Sequence, residues 1–145
     1  MAGRKVALIT DTHFGIRKGN QTFHEYFATF IRDTFFSTLD ERGIDTIIHL
    51  GDVFDVRKGI DYWSLNWAKA NFFDPLKERG IDIHIIVGNH DIFYKDSLSI
   101  NSPTLNLCEY DNVTIYSEPG TYTIGGAPIF MVPWICADNA QLFSE

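Results

Sequence analysis

The chain has 145 residues, 45% of them hydrophobic and 14% aromatic, with a net charge of −7 at neutral pH. That length and composition suit one domain able to bury about two-thirds of its unfolded surface, and they exclude disorder and repeat arrays. No apolar run nears the roughly 18 residues of a membrane span, and MAGRK leads into an apolar run instead of a signal peptide, so a cytoplasmic location is expected.

Apolar runs rich in Val and Ile alternate with segments of helical periodicity, the pattern of buried parallel strands in an α/β sheet. In chain order the pattern predicts a strand over 4–10, a helix over 22–42, a strand over 45–50, a helix over 61–79 and a strand over 81–87. A short helical turn near 103–108 follows, then strands near 112–117, 120–125 and 128–132. Gly43 and Gly80 read as the residues that close the two long helices. Asp74-Pro75 lies inside the second helix, where proline removes a hydrogen bond, so a kink or a restart with Asp74 as N-cap is expected. The close spacing of the last three strands around PGTYTIGGAP reads as a hairpin meander without further crossovers. Residues 137–145 begin a helix-like pattern with no C-cap.

Three polar strings interrupt this order, each directly after an apolar run: Asp11-Thr12-His13 after VALIT, Gly51-Asp52-Val53-Phe54-Asp55 after DTIIHL, and Gly88-Asn89-His90-Asp91 after IDIHIIV. In an open α/β sheet, ligands bind in the crevice beyond the strand ends, so residues just past three different strands meet there. Alternate residues of an extended segment share a side, which lets Asp11 and His13 grip one ion together. Carboxylate, imidazole and amide oxygen suit manganese, magnesium, iron or zinc, with manganese the first choice. Gly51 and Gly88 stand where a strand must turn sharply at a crowded ion. Ordinary strand-end turns also favour Gly, Asp and Asn; three such strings in this order outweigh that reading.

The strings match DxH, GDxxD and GNH followed by an acid, and the chain thereby resembles the calcineurin-like metallophosphoesterases over residues 6–91. GDVFDVRKGI, HIIVGNHDIFYK and VPWICADN extend the likeness to the SbcD-type DNA nucleases, in particular the small subunit of tailed-phage recombination endonucleases. Val56 and Asp91 differ from the Arg and Glu of the protein phosphatases at those places. The resemblance implies that Asp11 and His13 hold one metal, Asp52 bridges two, and Asn89 holds the second. His90 would then face the phosphate, stabilising charge or protonating the leaving oxygen, with Asp55 fixing its tautomer. Two divalent ions about 3.5–4 Å apart would clamp the phosphate and activate water.

The implied fold is a two-sheet αββα sandwich of which this chain supplies the first sheet and begins the second. The family completes its metal shell with histidines from later GH and GHxH motifs, whereas none of the five histidines here follows His90. Residues 1–145 are therefore expected to be the N-terminal part of one nuclease domain; the alternative is a short protein that takes its remaining ligands from another chain. The implied activity is that of a two-metal DNA exo/endonuclease in recombination and end processing, with DNA and an SbcC-type, SMC-like ATPase as partners and a homodimer compatible with both. The other readings are a small-molecule or nucleotide phosphoesterase and a catalytically silent metal- or DNA-binding subunit.

A charge of −7 is unusual for a protein that meets DNA, since phosphate contacts require Lys and Arg. Divalent ions would offset part of it, and basic residues follow each string: Arg17 and Lys18, Arg57 and Lys58, and Lys95. These either meet a nucleic-acid backbone or are ordinary solvated loop charges. His49 and His84 read as packed, hydrogen-bonded strand residues, and His24 as a surface or capping residue. Tyr62, Trp63, Trp67, Phe72 and Phe73 have the spacing of a core-facing helix stripe. Cys108 and Cys136 lack metal-site spacing and read as buried free thiols. Trp134 has no assignable role.

Overall fold

A computed structural model describes residues 4–144; Met1 to Gly3, and Glu145 at the end of the helix-like pattern expected over 137–145, lie outside the described residues. Four strands form one sheet in the order β1-β2-β3-β4: β1 (Ala7–Ile9), β2 (Thr46–His49), β3 (Asp82–Ile86) and β4 (Val113–Tyr116). All neighbours are parallel, with Ala7 opposite Ile47, Ile47 opposite Ile83, and Ile83 opposite Val113. Parallel neighbours need crossovers, and the helices supply them. The first, α1, runs through Gln21–Phe30, a widened π-type turn at Ile31–Phe36, and Ser37–Arg42, ending at Gly43 with φ 61°. The second, α2, runs through Tyr62–Ala68, a similar turn at Lys69–Phe73, and Asp74–Glu78. A single turn, α3 (Ser102–Asn106), lies between β3 and β4.

Side chains of a strand alternate between faces. Ile47, Ile83 and Ile85 accordingly pack against Phe36 and Leu39 of α1 and Phe72, Phe73 and Leu76 of α2 in the main core. On the other face, Ile48 and Tyr116 pack against Ile124 and Met131 of an antiparallel hairpin, β5 (Gly120–Ile124) and β6 (Ala127–Met131). The layers are thus helices, a parallel sheet, and the hairpin of a second sheet, which is the α/β arrangement expected. A 3₁₀ turn at Ala140–Phe143 takes the place of the helix expected over 137–145.

Several expectations are corrected. β4 belongs to the parallel sheet, so only β5 and β6 form the hairpin and the predicted three-strand meander does not exist. The apolar string VTIY does not encode strand direction; the connection through α3 does. Pro75 is accommodated by the wide turn before it, and Asp74 is helical; its carboxylate accepts the Tyr110 hydroxyl at 2.5 Å and caps nothing. His24 is fully buried, not superficial: its Nε2 accepts the Gly15 N–H at 3.1 Å and its Nδ1 donates to the Asn20 carbonyl at 2.8 Å, which ties the DTHFG turn to α1. Cys108 is exposed and Cys136 half-buried, and both are free. Of the aromatic stripe, Phe72 and Phe73 are core, Trp67 packs against it, Trp63 is partly exposed with its ring against His24, and Tyr62 faces solvent.

Candidate metal centre

The three loops beyond β1, β2 and β3 run side by side at one end of the sheet. Backbone bonds continue the pairing past the strands: Asp11 N–H to the Gly51 carbonyl (3.1 Å), His13 N–H to Asp52 (3.1 Å), and Phe14 N–H to Val53 (2.9 Å). To turn inward at this end, Asp11, His13 and Asp52 adopt left-handed backbone, with φ of 53°, 42° and 55°. Side chains with a Cβ rarely take that region, at a cost of about 1–2 kcal/mol each, and such strain gathers where function over-determines it. No composition or periodicity signal announces these angles. Gly51 (φ 99°) and Gly88 show the expected crowding, since a Cβ on Gly88 would lie 2.3 Å from Asp52 Oδ1.

The result brings Asp11, His13 and Asp52 together, with one ligand atom from each within 4.8 Å of the others. His13 Nε2 stands 3.4 Å from Asp11 Oδ1 and 3.8 Å from Asp52 Oδ2. The Asn89 amide lies 3.0 and 3.2 Å from the two Asp52 carboxylate oxygens. Its nitrogen can donate to them, or its oxygen can share a cation with them. His90 joins through its backbone N–H, which donates to Asp52 Oδ1 at 2.9 Å, and its ring meets the His13 ring edge-on with centroids 5.0 Å apart. A second trio, His13, Asp55 and His90, has the same compactness.

Asp55 does not hold His90 in the expected way. Its backbone carbonyl, not its carboxylate, pairs with His90 Nδ1 at 2.8 Å. The carboxylate instead approaches His13 Nδ1 at 3.2 Å, an ion-pair distance with angles too poor for a hydrogen bond, so that buried nitrogen has no hydrogen-bond partner. The loop after β2 passes beside His90 with its main chain, and the Asp55 side chain turns toward the DxH loop.

Two residues outside the proposed ligand set support the loops from below. Asp91 is fully buried and its carboxylate gathers four backbone N–H groups: Asp52 (2.8 Å), Gly88 (2.9 Å), Val53 (2.9 Å) and Phe54 (3.4 Å). Burial pushes its pKa up to about 6, against the pull of those donors. His49, also fully buried, accepts the Gly51 N–H at Nδ1 (3.1 Å) and pairs through Nε2 with the Thr12 hydroxyl (3.0 Å), which donates onward to the Val53 carbonyl. Burial pulls its pKa down to about 4, keeping it neutral. The position of Asp91 after GNH and of His49 in a core strand was legible; the partners were not, because backbone donors leave no mark in sequence. Asp11 is held below the usual carboxylate range, chiefly by the Thr10 hydroxyl.

A cleft of about 470 Å³ opens over Asp11, Asp52, Gly88 and Asn89, walled by Leu50 and Trp134. Trp134 is held there by its backbone N–H, which donates to the Val87 carbonyl at 2.8 Å. Arg17, Lys18, Lys58 and Lys95 are exposed and Arg57 is half-buried, and none of the five forms an ion pair among the described residues. The Arg17 guanidinium lies over the Phe23 ring at 4.9 Å.

The donor set fits a divalent cation: two carboxylates, an imidazole and an amide converge at an open cleft, with an unpartnered imidazole nitrogen beside them. Among the described residues, no helix is long and apolar enough to cross a membrane. The calcineurin-like phosphoesterase family profile matches residues 4–140. Over 135 residues the chain is 33% identical to exonuclease subunit 1 of Enterobacteria phage T4, covering 93% of this chain and 39% of that protein. It thus spans about two-fifths of the length of this curated relative.

Proposed function

The chain belongs to the calcineurin-like phosphoesterase family, and on that premise we propose that it carries the metal-binding part of a two-metal phosphodiester hydrolase acting on DNA, as an exo- or endonuclease subunit in recombination and end processing. The observation that carries this reading is the convergence of Asp11, His13 and Asp52 within 4.8 Å, beside Asn89 and His90. Asp11 and His13 would hold one ion, Asp52 would be shared, and Asn89 would serve the second; manganese is the first choice. When bound, such ions polarise phosphoryl oxygens and lower the pKa of water.

His90 works beside them as a proton carrier. Its Nδ1 donates to the Asp55 carbonyl, so its tautomer is set and Nε2 is the atom free to hold a proton for the leaving oxygen. Asp52 fixes the His90 backbone through Oδ1, which couples the metal cluster to the placement of that ring. Asp91 and His49 keep the loops rigid enough to hold these atoms. Arg17, Lys18, Arg57, Lys58 and Lys95 would meet the nucleic-acid backbone. The relative is named as a subunit, which supports a partner chain; an SbcC-type ATPase is the partner proposed.

The test is cleavage of linear duplex DNA in manganese, measured with this chain and with the polypeptide extended to the length of its relative. Degradation from duplex ends supports the nuclease. Turnover confined to p-nitrophenyl phosphodiesters or cyclic nucleotides would replace it with a small-molecule phosphoesterase, and metal binding without any turnover would leave a silent subunit.

A further inference from the structure

The loops that leave the metal cluster build a second cavity, and of its lining residues only Arg57 and Lys58 have been given a role above. It measures about 250 Å³ and lies between the segment after Asp55 and the segment after His90. Its lining includes Arg57, Lys58, Tyr62, Phe93, Ser102 and Leu105. Three features set it apart from an ordinary surface crease. Tyr62, at the first turn of α2, is 89% exposed, and Leu105 is 66% exposed. Lys58 holds its ammonium 5.7 Å from the centre of the Phe93 ring, so cation and ring occupy the same wall. Neither Arg57 nor Lys58 has an acidic partner among the described residues.

Together these are the parts of a nucleotide subsite: aromatic surface for a base, and two cations without acidic partners for the phosphate beside it. The place is right as well. Asp55 and His90 are in contact at 2.8 Å. Phe93 follows His90 by three residues, and Lys58 follows Asp55 by three, so each begins within about 11 Å of the reacting group, the reach of neighbouring nucleotides on one strand.

Resting on the phosphodiesterase reading, we infer that this cavity binds an unstacked base of single-stranded nucleic acid next to the scissile phosphate. A base cannot enter a cavity of this size while it remains in a duplex stack. The subsite therefore selects strands that are open at the point of cleavage, and it gives Tyr62 and Phe93 a role as substrate-positioning residues.

The experiment uses short single-stranded DNA in chelator, with one 2-aminopurine as reporter, beside the same oligonucleotide with that position abasic. The wild-type chain should bind the intact strand about tenfold more tightly and quench the reporter. Phe93→Ala and Tyr62→Ala should lose that margin and bind both strands alike, while Arg57→Ala should weaken both strands together. A thermal shift with manganese, unchanged in Phe93→Ala, confirms that the variant is folded. Equal affinity of the wild type for intact and abasic strands overturns the subsite and leaves the apolar wall to a protein partner. If the manganese shift is present in that case, the phosphodiesterase reading stands and only the subsite fails; base discrimination without a manganese shift would keep the subsite and sink the metal centre.

Discussion

Replacing Asp11 with Asn should make the metal-free chain more stable, although it removes a group at the heart of the site. Asp11 and Asp52 present carboxylate oxygens within 4.8 Å of each other. Two unit charges at that separation repel by about 3.5 kcal/mol at an effective dielectric of 20 and by about 0.9 kcal/mol in bulk water. The Asp11 side chain is 57% exposed and that of Asp52 is 14% exposed, so screening favours the lower figure and about 1 kcal/mol is expected. The backbone does not oppose the change, because Asn tolerates the left-handed region that Asp11 occupies at φ 53°. The Thr10 hydroxyl, the main cause of the lowered Asp11 pKa, can still donate to the Asn side-chain oxygen, so that stabilisation is kept in the variant. In chelator at pH 8, above the ordinary imidazole range, the variant should therefore melt about 2–4 °C higher. Manganese should reverse the ranking. At one hundred times its dissociation constant it adds about 2.7 kcal/mol to the wild type and much less to the variant, which has lost a charged ligand. Calorimetric melting with and without manganese reads both effects. A variant that melts lower in chelator, or gains as much from manganese as the wild type, refutes the reasoning.

Three further outcomes follow from the same loops. Asp91→Ala should destabilise the fold by about 3 kcal/mol or more in urea titration, because the N–H groups of Asp52, Val53 and Gly88 are left buried and unpaired at about 1–3 kcal/mol each. A loss under 1 kcal/mol would mean that water replaces the carboxylate. The folded pKa of His49, about 4, lies below its ordinary 6.5, so its contribution is present above pH 6.5 and is lost as pH falls through 4. Relative to His49→Gln, the wild type should lose about 3 kcal/mol between pH 7 and pH 4; a constant difference would show that His49 does not titrate with folding. Asp91 runs the other way, its pKa raised to about 6, so it favours the folded state as pH falls from 6 toward 3.8 and flattens the wild-type profile. His90→Ala in an active polypeptide should retain its metal and lose roughly 10²–10⁴ in turnover, as measured by elemental analysis beside a DNA cleavage assay; release of metal with activity intact would make His90 a ligand instead.

The fold was legible where side-chain pattern determines it. IDIHIIV, DTIIHL and VALIT could only be buried strands, and the parallel order follows once each is paired with a helix of matching period. β4 was misread because VTIY looks the same in a hairpin as in a crossover strand, and only the connection through Ser102–Asn106 fixes its direction. The cluster was legible because Asp11, His13, Asp52, Asn89 and His90 all lie just past strand ends. What stayed hidden is held by the main chain: the Asp55 carbonyl on His90 Nδ1, the backbone donors on Asp91, and the left-handed turns at Asp11, His13 and Asp52. His24 was misplaced for a related reason. A polar residue opening a helix usually caps it, yet here both ring nitrogens find backbone partners from the turn before α1, and the ring is sealed by Trp63 and Trp67.

The central claim is that Asp11, His13, Asp52 and Asn89 form a divalent-metal centre, and titration calorimetry of the purified chain with manganese tests it most directly. At least one tight site per chain is expected, abolished by Asp52→Ala and weakened by His13→Ala, while Asp111→Ala, which removes an exposed carboxylate outside the cleft lining, should bind as the wild type does. Manganese binding that persists undiminished in Asp52→Ala would contradict it.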